Sequence, residues 1–294
     1  MSGWVVTGAA GQVGSRVVRL LTEAGEDVTG LARADLDVTS AGAVDAAVRE
    51  CAPEVVINAA AYTAVDAAES DEPAAYAVNC DGPRALAAAL ARHGGRLVHI
   101  STDYVFSGDA DRPYEPDDPT GPRTAYGRTK LAGERAVRAA LPRAHHIVRT
   151  AWVHGGPGAN FIDTMLRLQA TRETVTVVDD QIGSPTWAED LAAALIRVGR
   201  VAPPPGTLHF VNSGTASWWD LARATFAAVG ADPGRVHPVS SAEFRRPAPR
   251  PAWSVLSLAS WTRAGLPAPR SWQEALLASV EERQRAASPG EQPT

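Results

Sequence analysis

The run WVVTGAAGQVG, residues 4–14, decides the fold. Trp4 to Thr7 is short, apolar and β-branched, and reads as a strand. Gly8, Gly11 and Gly14 follow at once, and QVGSRVVRLLTEAG then reads as a helix ending at Gly25. A strand that turns through glycines into a helix is the arrangement that binds phosphate at a helix N-terminus. Gly8 would permit the tight turn, Gly11 would let backbone approach a pyrophosphate, and Gly14 would let the helix pack closely on the sheet. The spacing is GxxGxxG, so the context carries more of this reading than the pattern does.

The alternation continues outward from that turn. DVTGLA reads as a second strand, followed by a helix around Ala41 to Glu50. EVVINAAA is a third strand, and PAAYAVNCDGPRALAAALARHG reads as one Ala-rich helix closed by Gly94 and Gly95. RLVHISTDYVF is a fourth strand running into a loop, AYGRTKLAGERAVRAAL a helix, and HHIVRTAWV a fifth strand. Continuous Val/Ile/Leu strands separated by helices imply a parallel sheet covered on both faces. The expected class is α/β, a Rossmann-type doubly wound parallel sheet with a smaller C-terminal α+β substrate lobe. Beyond about residue 155 the rhythm is irregular, with PPPG at 203–206 and a Pro- and Arg-rich loop, FRRPAPRPAW. The expected division is a dinucleotide-binding domain over 1–155 with 182–203 returning to it, a mainly substrate-binding lobe over 156–285, and a flexible tail over 286–294.

Composition narrows the function. The 294 residues are 45% hydrophobic with a net charge of -5, which fits a soluble globular protein and argues against bulk electrostatic binding to nucleic acid. No apolar run reaches the roughly 18 residues of a membrane helix. The N-terminus shows no basic region followed by an apolar one, so the cytoplasm is the expected location. Cys51 and Cys80 read as buried or half-buried thiols, and no metal site is expected. All tryptophans but Trp4 lie in the second half, where most should pack the small lobe and one or two could stack on a ligand.

Tyr126 and Lys130, four residues apart, share a helix face. An ammonium beside a phenol is expected to lower its pKa from about 10, making Tyr126 a usable proton donor near neutral pH. STDYVF places Ser101 and Thr102 at the carboxyl end of a strand, where ligands gather in parallel sheets, and one of these hydroxyls would hold a substrate carbonyl. Cofactor choice is read after the second strand. Arg33 is the first charged residue there, which favours the 2′-phosphate of NADPH, with NADH as the alternative; Asp37 could reach the adenine.

GQVG, INAAAYTAVDAAE, STDYVFSG, PYEPDDPTGPRTAYGRTKLAGE, RTAWV, NFIDTMLRL and VVDDQIGSPT with DLA carry a closer likeness. Through them the chain resembles, over nearly its whole length, the dTDP-4-dehydrorhamnose reductase family of extended short-chain dehydrogenases/reductases. STDYVF and DDQIGSPT are the specific stretches. The resemblance implies reduction of the C4 ketone of a dTDP-4-keto-6-deoxyhexose by a trio of Thr102, Tyr126 and Lys130, which selects Thr102 over Ser101. It implies cofactor contacts at Gly8, Gln12, Val13, Asp37, Ala60, Ala61 and Thr63, besides Tyr126 and Lys130. It also implies a sugar-nucleotide site lined by Tyr104, Trp152, Asn160, Gln181 and Arg250, whose guanidinium suits a diphosphate.

There are departures from the family pattern. Arg16 stands where members commonly carry a glutamate that in some helps hold Mg²⁺ at a dimer interface, so monomer and homodimer both stay open. His154 and Trp253 replace common residues near the expected sugar site and suggest a deoxysugar other than the rhamnose precursor. Tyr104 stands where a related 4,6-dehydratase needs a carboxylate, which excludes that chemistry. A sugar-nucleotide 4-epimerase and a non-catalytic NADP-binding regulatory subunit are the competing expectations.

Overall fold

The structure, a computed structural model, describes residues 3–244 and 246–287. The first half runs β1 (Trp4–Thr7), α1 (Gln12–Glu23), β2 (Val28–Leu31), α2 (Ala41–Cys51) and β3 (Val55–Asn58). Two short helices follow, α3 (Val65–Ala68) and α4 (Glu72–Tyr76), then α5 (Gly82–His93), β4 (Arg96–Thr102), α6 (Ala125–Ala140) and β5 (His145–Thr150). The second half contains β6 (Val153–His154), α7 (Phe161–Thr171), β7 (Val175–Val178), β8 (Ile182–Gly183), β9 (Thr186–Trp187) and α8 (Ala188–Val201). It continues with β10 (Gly206–His209), β11 (Ala216–Ser217), α9 (Trp218–Ala228), β12 (Val236–Val239), α10 (Ala259–Arg263) and α11 (Trp272–Ala287).

Six strands pair in parallel in the order β10-β5-β4-β3-β1-β2. This is the doubly wound sheet the sequence implies, with its switch point between β1 and β3. Both faces are buried, as continuous apolar strands require. One face carries α1 and α8, where Val6, Ile57, Val98 and Val148 meet Leu21, Leu191 and Leu195. The other carries α2, α5 and α6, where Val5, Val56, Leu97 and Ile147 meet Val44, Leu86 and Val137.

Two segments differ from expectation. The Ala-rich stretch is not one regular helix, because α4 passes into α5 through a wider π turn over Ala77–Asp81. Pro83 has no N–H and its ring would crowd the carbonyl of Asn79 four residues back, so an extra residue in the turn relieves the clash. The turn presses Asn79 onto α6, where a Cβ on Gly133 would lie 2.0 Å from the Asn79 oxygen. The Asn79 side chain also holds both backbone groups of Tyr62, at 2.9 and 3.1 Å, and meets Thr129 at 3.1 Å. The segment that lies on the sheet is shifted from 182–203: β8 pairs with β11 outside the sheet, α8 covers the sheet, and the prolines turn the chain into β10, which becomes an edge strand.

The remaining elements form the second lobe. β7 pairs with β12 and β8 with β11, while α7, α9 and α11 close over two small cores around Ile162, Leu221, Leu276 and Met165, Phe226. Two of the late tryptophans pack away from these small cores: Trp261 lies against the main sheet with Phe210, and Trp253 against the cluster of Val105, Phe106 and Leu131. Cys51 and Cys80 are free thiols. Among the described residues no helix is long and apolar enough to cross a membrane. Of the expected tail, 286 and 287 complete α11, and 288–294 lie outside the described residues.

Candidate active site

The carboxyl ends of β1, β3, β4 and β5 converge on a cleft of about 370 Å³. A second cavity of about 410 Å³ adjoins it, and both are walled by Gly11, Ala59, Ala60 and Ala61. The pair makes an elongated groove across the switch point, the shape a dinucleotide needs.

The glycine turn is built as the sequence implies. Gly8 has φ +69°, and a Cβ there would lie 2.6 Å from the Ala60 nitrogen. A Cβ on Gly14 would come within 2.2 Å of the Gly8 oxygen, so α1 packs directly on the turn. α1 begins with no side-chain cap and no acidic residue in its first turn, leaving its leading N–H groups to an anion. On the other wall Asn58 organises the 59–61 turn: its Oδ1 accepts from Thr7 Oγ1 at 2.7 Å and from the Ala60 amide at 3.1 Å. Gln12, Val13 and Thr63 line the first cavity, and Arg33 and Asp37 the far end of the second. The Thr39 amide and hydroxyl hold the Asp37 carboxyl below its ordinary range, with Arg33 adding to the effect. These residues fit a dinucleotide with a 2′-phosphate at the Arg33 end.

Thr102, Tyr126 and Lys130 stand on one wall of the first cavity. Thr124 caps α6 through the Gly127 amide at 3.0 Å, and Glu69 takes the Ala125 amide at 2.8 Å, fixing the turn that bears Tyr126. Lys130 is buried and its Nζ donates to the Ile100 carbonyl at 2.6 Å. Thr102 Oγ1 donates to Asp103 Oδ1 at 2.8 Å and accepts from the Tyr104 amide at 3.2 Å. Ser101 is committed elsewhere: its hydroxyl donates to Glu134 at 2.6 Å, inside a buried pair in which Arg149 forks onto the same carboxylate with two bonds of 2.8 Å. Ser101 and Thr102 both line the cleft, and of the two it is Ser101 whose hydroxyl is taken up by the buried Glu134–Arg149 pair.

The expectation that Lys130 depresses the Tyr126 pKa is corrected. Burial pushes the Tyr126 phenol above its ordinary value, and the Thr102 hydroxyl only partly offsets this. The same burial pulls Lys130 down to about 8, with Glu134 opposing. The ammonium is spent on a backbone carbonyl and desolvation dominates both groups. Tyr126 therefore holds its proton at neutral pH, which suits an acid. Burial also pushes Asp103 up to about 6.

Across the cleft, Tyr104 meets the Tyr126 ring edge-on at 5.6 Å and separates the cleft from a side pocket of about 170 Å³. Trp152 is in the left-handed region at φ +47°, with its ring stacked on Trp218 at 3.6 Å. The other indole face is closed by Gly183, where a Cβ would fall 2.4 Å from the ring. Arg250 lies in the side pocket, bonded to Asp66 at 2.8 Å. Asn160 and Gln181 are not among the residues lining the cleft; Asn160 caps α7 through the Asp163 amide at 3.1 Å. His154 and Trp253 do not line it either: His154 is buried beside a groove between α1, α7 and α11, and Trp253 donates to the Arg112 carbonyl at 2.9 Å. Arg16 forks onto Glu282, with one bond of 2.6 Å.

Sequence reading missed Asp103, Thr150 and Leu191 on the cleft wall and Trp218 behind it. Asp103 was legible, being next to Thr102 at a strand end. Leu191 and Trp218 arrive from distant helices and carry no local signal.

Comparison with known proteins agrees with this geometry. Residues 3–285 match the model of the RmlD substrate binding domain family. A dTDP-4-dehydrorhamnose reductase from Streptomyces griseus is 51% identical over 280 residues, covering 94% of this chain and 92% of the relative. A probable dTDP-4,6-dihydroxy-2-methyloxan-3-one 4-ketoreductase from Streptomyces antibioticus is 52% identical over 276 residues, covering 93% and 92%. The crystal structure of a dTDP-4-dehydrorhamnose reductase from Bacillus anthracis in complex with NADP superposes with a TM-score of 0.92 at 37% identity, covering 96% of this chain and 100% of that one. A glycine-turn groove, a Thr-Tyr-Lys wall and half-identity over nearly the full length lead to one assignment: the chain belongs to the dTDP-4-dehydrorhamnose reductase family.

Proposed function

We propose that this protein is an NADPH-dependent reductase of the C4 ketone of a dTDP-4-keto-6-deoxyhexose. The observation that carries this reading is the shared wall on which Thr102, Tyr126 and Lys130 face the groove beside the glycine turn. The names of the relatives support the same chemistry. The sheet half would bind the dinucleotide through Gly8, Gly11, Gln12, Val13, Gly14, Ala60, Ala61 and Thr63, with Arg33 on a 2′-phosphate and Asp37 towards the adenine. The second lobe, apart from α8 and β10, would bind the sugar nucleotide. The same reading places the protein in the cytoplasm, as a monomer or homodimer.

NADPH would supply the hydride. This chain supplies the proton and the alignment. Tyr126, protonated because it is buried, gives its proton to the oxygen that develops negative charge at C4. Thr102 turns its hydroxyl from Asp103 to that oxygen, adding a second donor. Lys130, held by the Ile100 carbonyl, keeps positive charge behind the phenol while it loses its proton. Trp152, clamped between Trp218 and Gly183, borders the sugar end of the cleft, and Arg250 stands where a diphosphate would leave the cleft past Tyr104.

The test offers freshly prepared dTDP-4-keto-6-deoxysugars, with and without prior 3,5-epimerisation or 2- or 3-deoxygenation, and follows the loss of NADPH absorbance. Turnover of at least one is expected, and no turnover of any would overturn the reading.

A further inference from the structure

The loop over 246–252 packs Pro251 against Gly108 beside the side pocket and meets α3 at one carboxylate. Asp66, on α3, accepts from Arg250 Nη2 at 2.8 Å through Oδ2 and from the Ala248 amide at 3.2 Å through Oδ1. Arg246, its guanidinium over the Phe244 ring at 5.0 Å, stands 3.9 Å from the same carboxylate. The Asp66 neighbour Val65 lines the cleft, whereas Arg250 lines the side pocket beyond Tyr104. The side chains of Asp66 and Arg250 are 31% and 20% exposed, so the pair is half-open to water and exchangeable. The other guanidinium of that pocket, Arg123, is likewise on an exposed carboxylate, Asp109. Burial pushes the Asp66 carboxyl up, but the Arg250 bond, the Ala248 amide and the Arg246 charge outweigh it, so the group is ionised at neutral pH.

We infer that Asp66 is a place-holding counter-ion: it occupies the Arg250 Nη2 that takes the diphosphate of the incoming nucleotide sugar, and gives it up when that ligand binds. This rests on the nucleotide-sugar reading above. Arg250 meets Asp66 through Nη2 alone, while its Nη1 donates to the Ala248 carbonyl at 2.9 Å. A guanidinium has the geometry to fork onto phosphate oxygens once the carboxylate leaves it, and a diphosphate brings more charge than a single carboxylate. Arg246 is near enough to take over Asp66 when Arg250 leaves it, so the released carboxylate is not left beside the diphosphate without a cation. The exchange also gives selectivity. A sugar without the diphosphate cannot displace Asp66, and the loop then stays pinned to α3.

The test measures binding of dTDP alone, by titration calorimetry, to the full chain and to Asp66→Asn, Arg250→Met and the double variant. Asparagine keeps an oxygen for the Ala248 amide and removes only the competing charge. D66N should bind dTDP about three- to fivefold more tightly, which is about 0.7–1 kcal/mol and within the range of an exposed ion pair. R250M should lose about tenfold or more, and the double variant should bind like R250M, because the gain requires the freed guanidinium. Unchanged or weaker binding by D66N overturns the place-holding role, and so does a gain that survives in the double variant, which would be simple like-charge repulsion. If the parent chain binds NADPH but not dTDP, the nucleotide-sugar reading itself fails and takes this inference with it.

Discussion

The β1–α1 turn and the Trp152 wall face each other across one cleft but are held by different means. The turn is made of backbone. Gly8 and Gly14 are required because other backbone atoms lie where a Cβ would be, within 2.2–2.6 Å. The Trp152 wall is built by side-chain packing across three separate segments: a residue after β5 in the left-handed region, Trp218 from α9 stacked on its ring, and Gly183 in β8, whose missing side chain makes room for that ring. A wall of backbone recognises what is common to dinucleotides, whereas a wall of side chains can be retuned for one sugar. This contrast predicts that damage on the cofactor side abolishes binding, that damage on the sugar side changes selectivity, and that the trio between them governs rate.

The sharpest way to break this comparison is Tyr126→Phe. The phenol supplies only the proton, so kcat should fall by about 10²–10⁴-fold while NADPH affinity, read by fluorescence, barely moves. Gly14→Ala comes next. Its new methyl would meet the Gly8 carbonyl at 2.2 Å. Overpacking of about 1–3 kcal/mol should weaken NADPH binding by roughly ten- to hundredfold. Retained affinity would mean that the turn is not as rigid as its contacts imply. Arg33→Ala should lower the NADPH-to-NADH preference in kcat/KM by about tenfold, leaving NADH turnover alone. Trp218→Ala removes a stack worth about 0.5–1.5 kcal/mol and should raise KM for the nucleotide sugar by about three- to tenfold without changing NADPH affinity.

The smallest effect is on pH. Lys130 titrates near 8, so kcat should decline through that pH as the ammonium is lost, with half the effect at the midpoint. Stability runs the other way. The folded pKa of about 8 lies below the free-lysine value of about 10.4, so this group's contribution is full above the free value and lost as pH falls through 8. A kcat profile flat from pH 6 to pH 10 would remove the charge of Lys130 from the account.

Local readings were legible where chemistry follows from neighbours in the chain. The strand–glycine–helix turn and the Tyr126–Lys130 helix face both depend on contacts within a few residues. The π turn at 77–81 was hidden because the Ala-rich pattern is helical on either side, and only the demand of Pro83 upon Asn79 breaks it. The direction of the Tyr126 shift was misread because spacing reports which side chains are near and not how much water reaches them. Asn160 and Gln181 follow from likeness alone and no local pattern places them; Asn160 spends its oxygen on the α7 cap and keeps its amide nitrogen buried without a partner among the described residues.

The sequence by itself determined the sheet, the glycine turn and the shared helix face of Tyr126 and Lys130, because periodicity, glycine placement and i, i+4 spacing act over short stretches of chain. Only the tertiary structure decided that Ser101 is bound to Glu134, that Trp152 is clamped between Trp218 and Gly183, and that Arg250 rests on Asp66. Each of those joins residues more than thirty positions apart, where packing and desolvation set the partner and no local pattern records it.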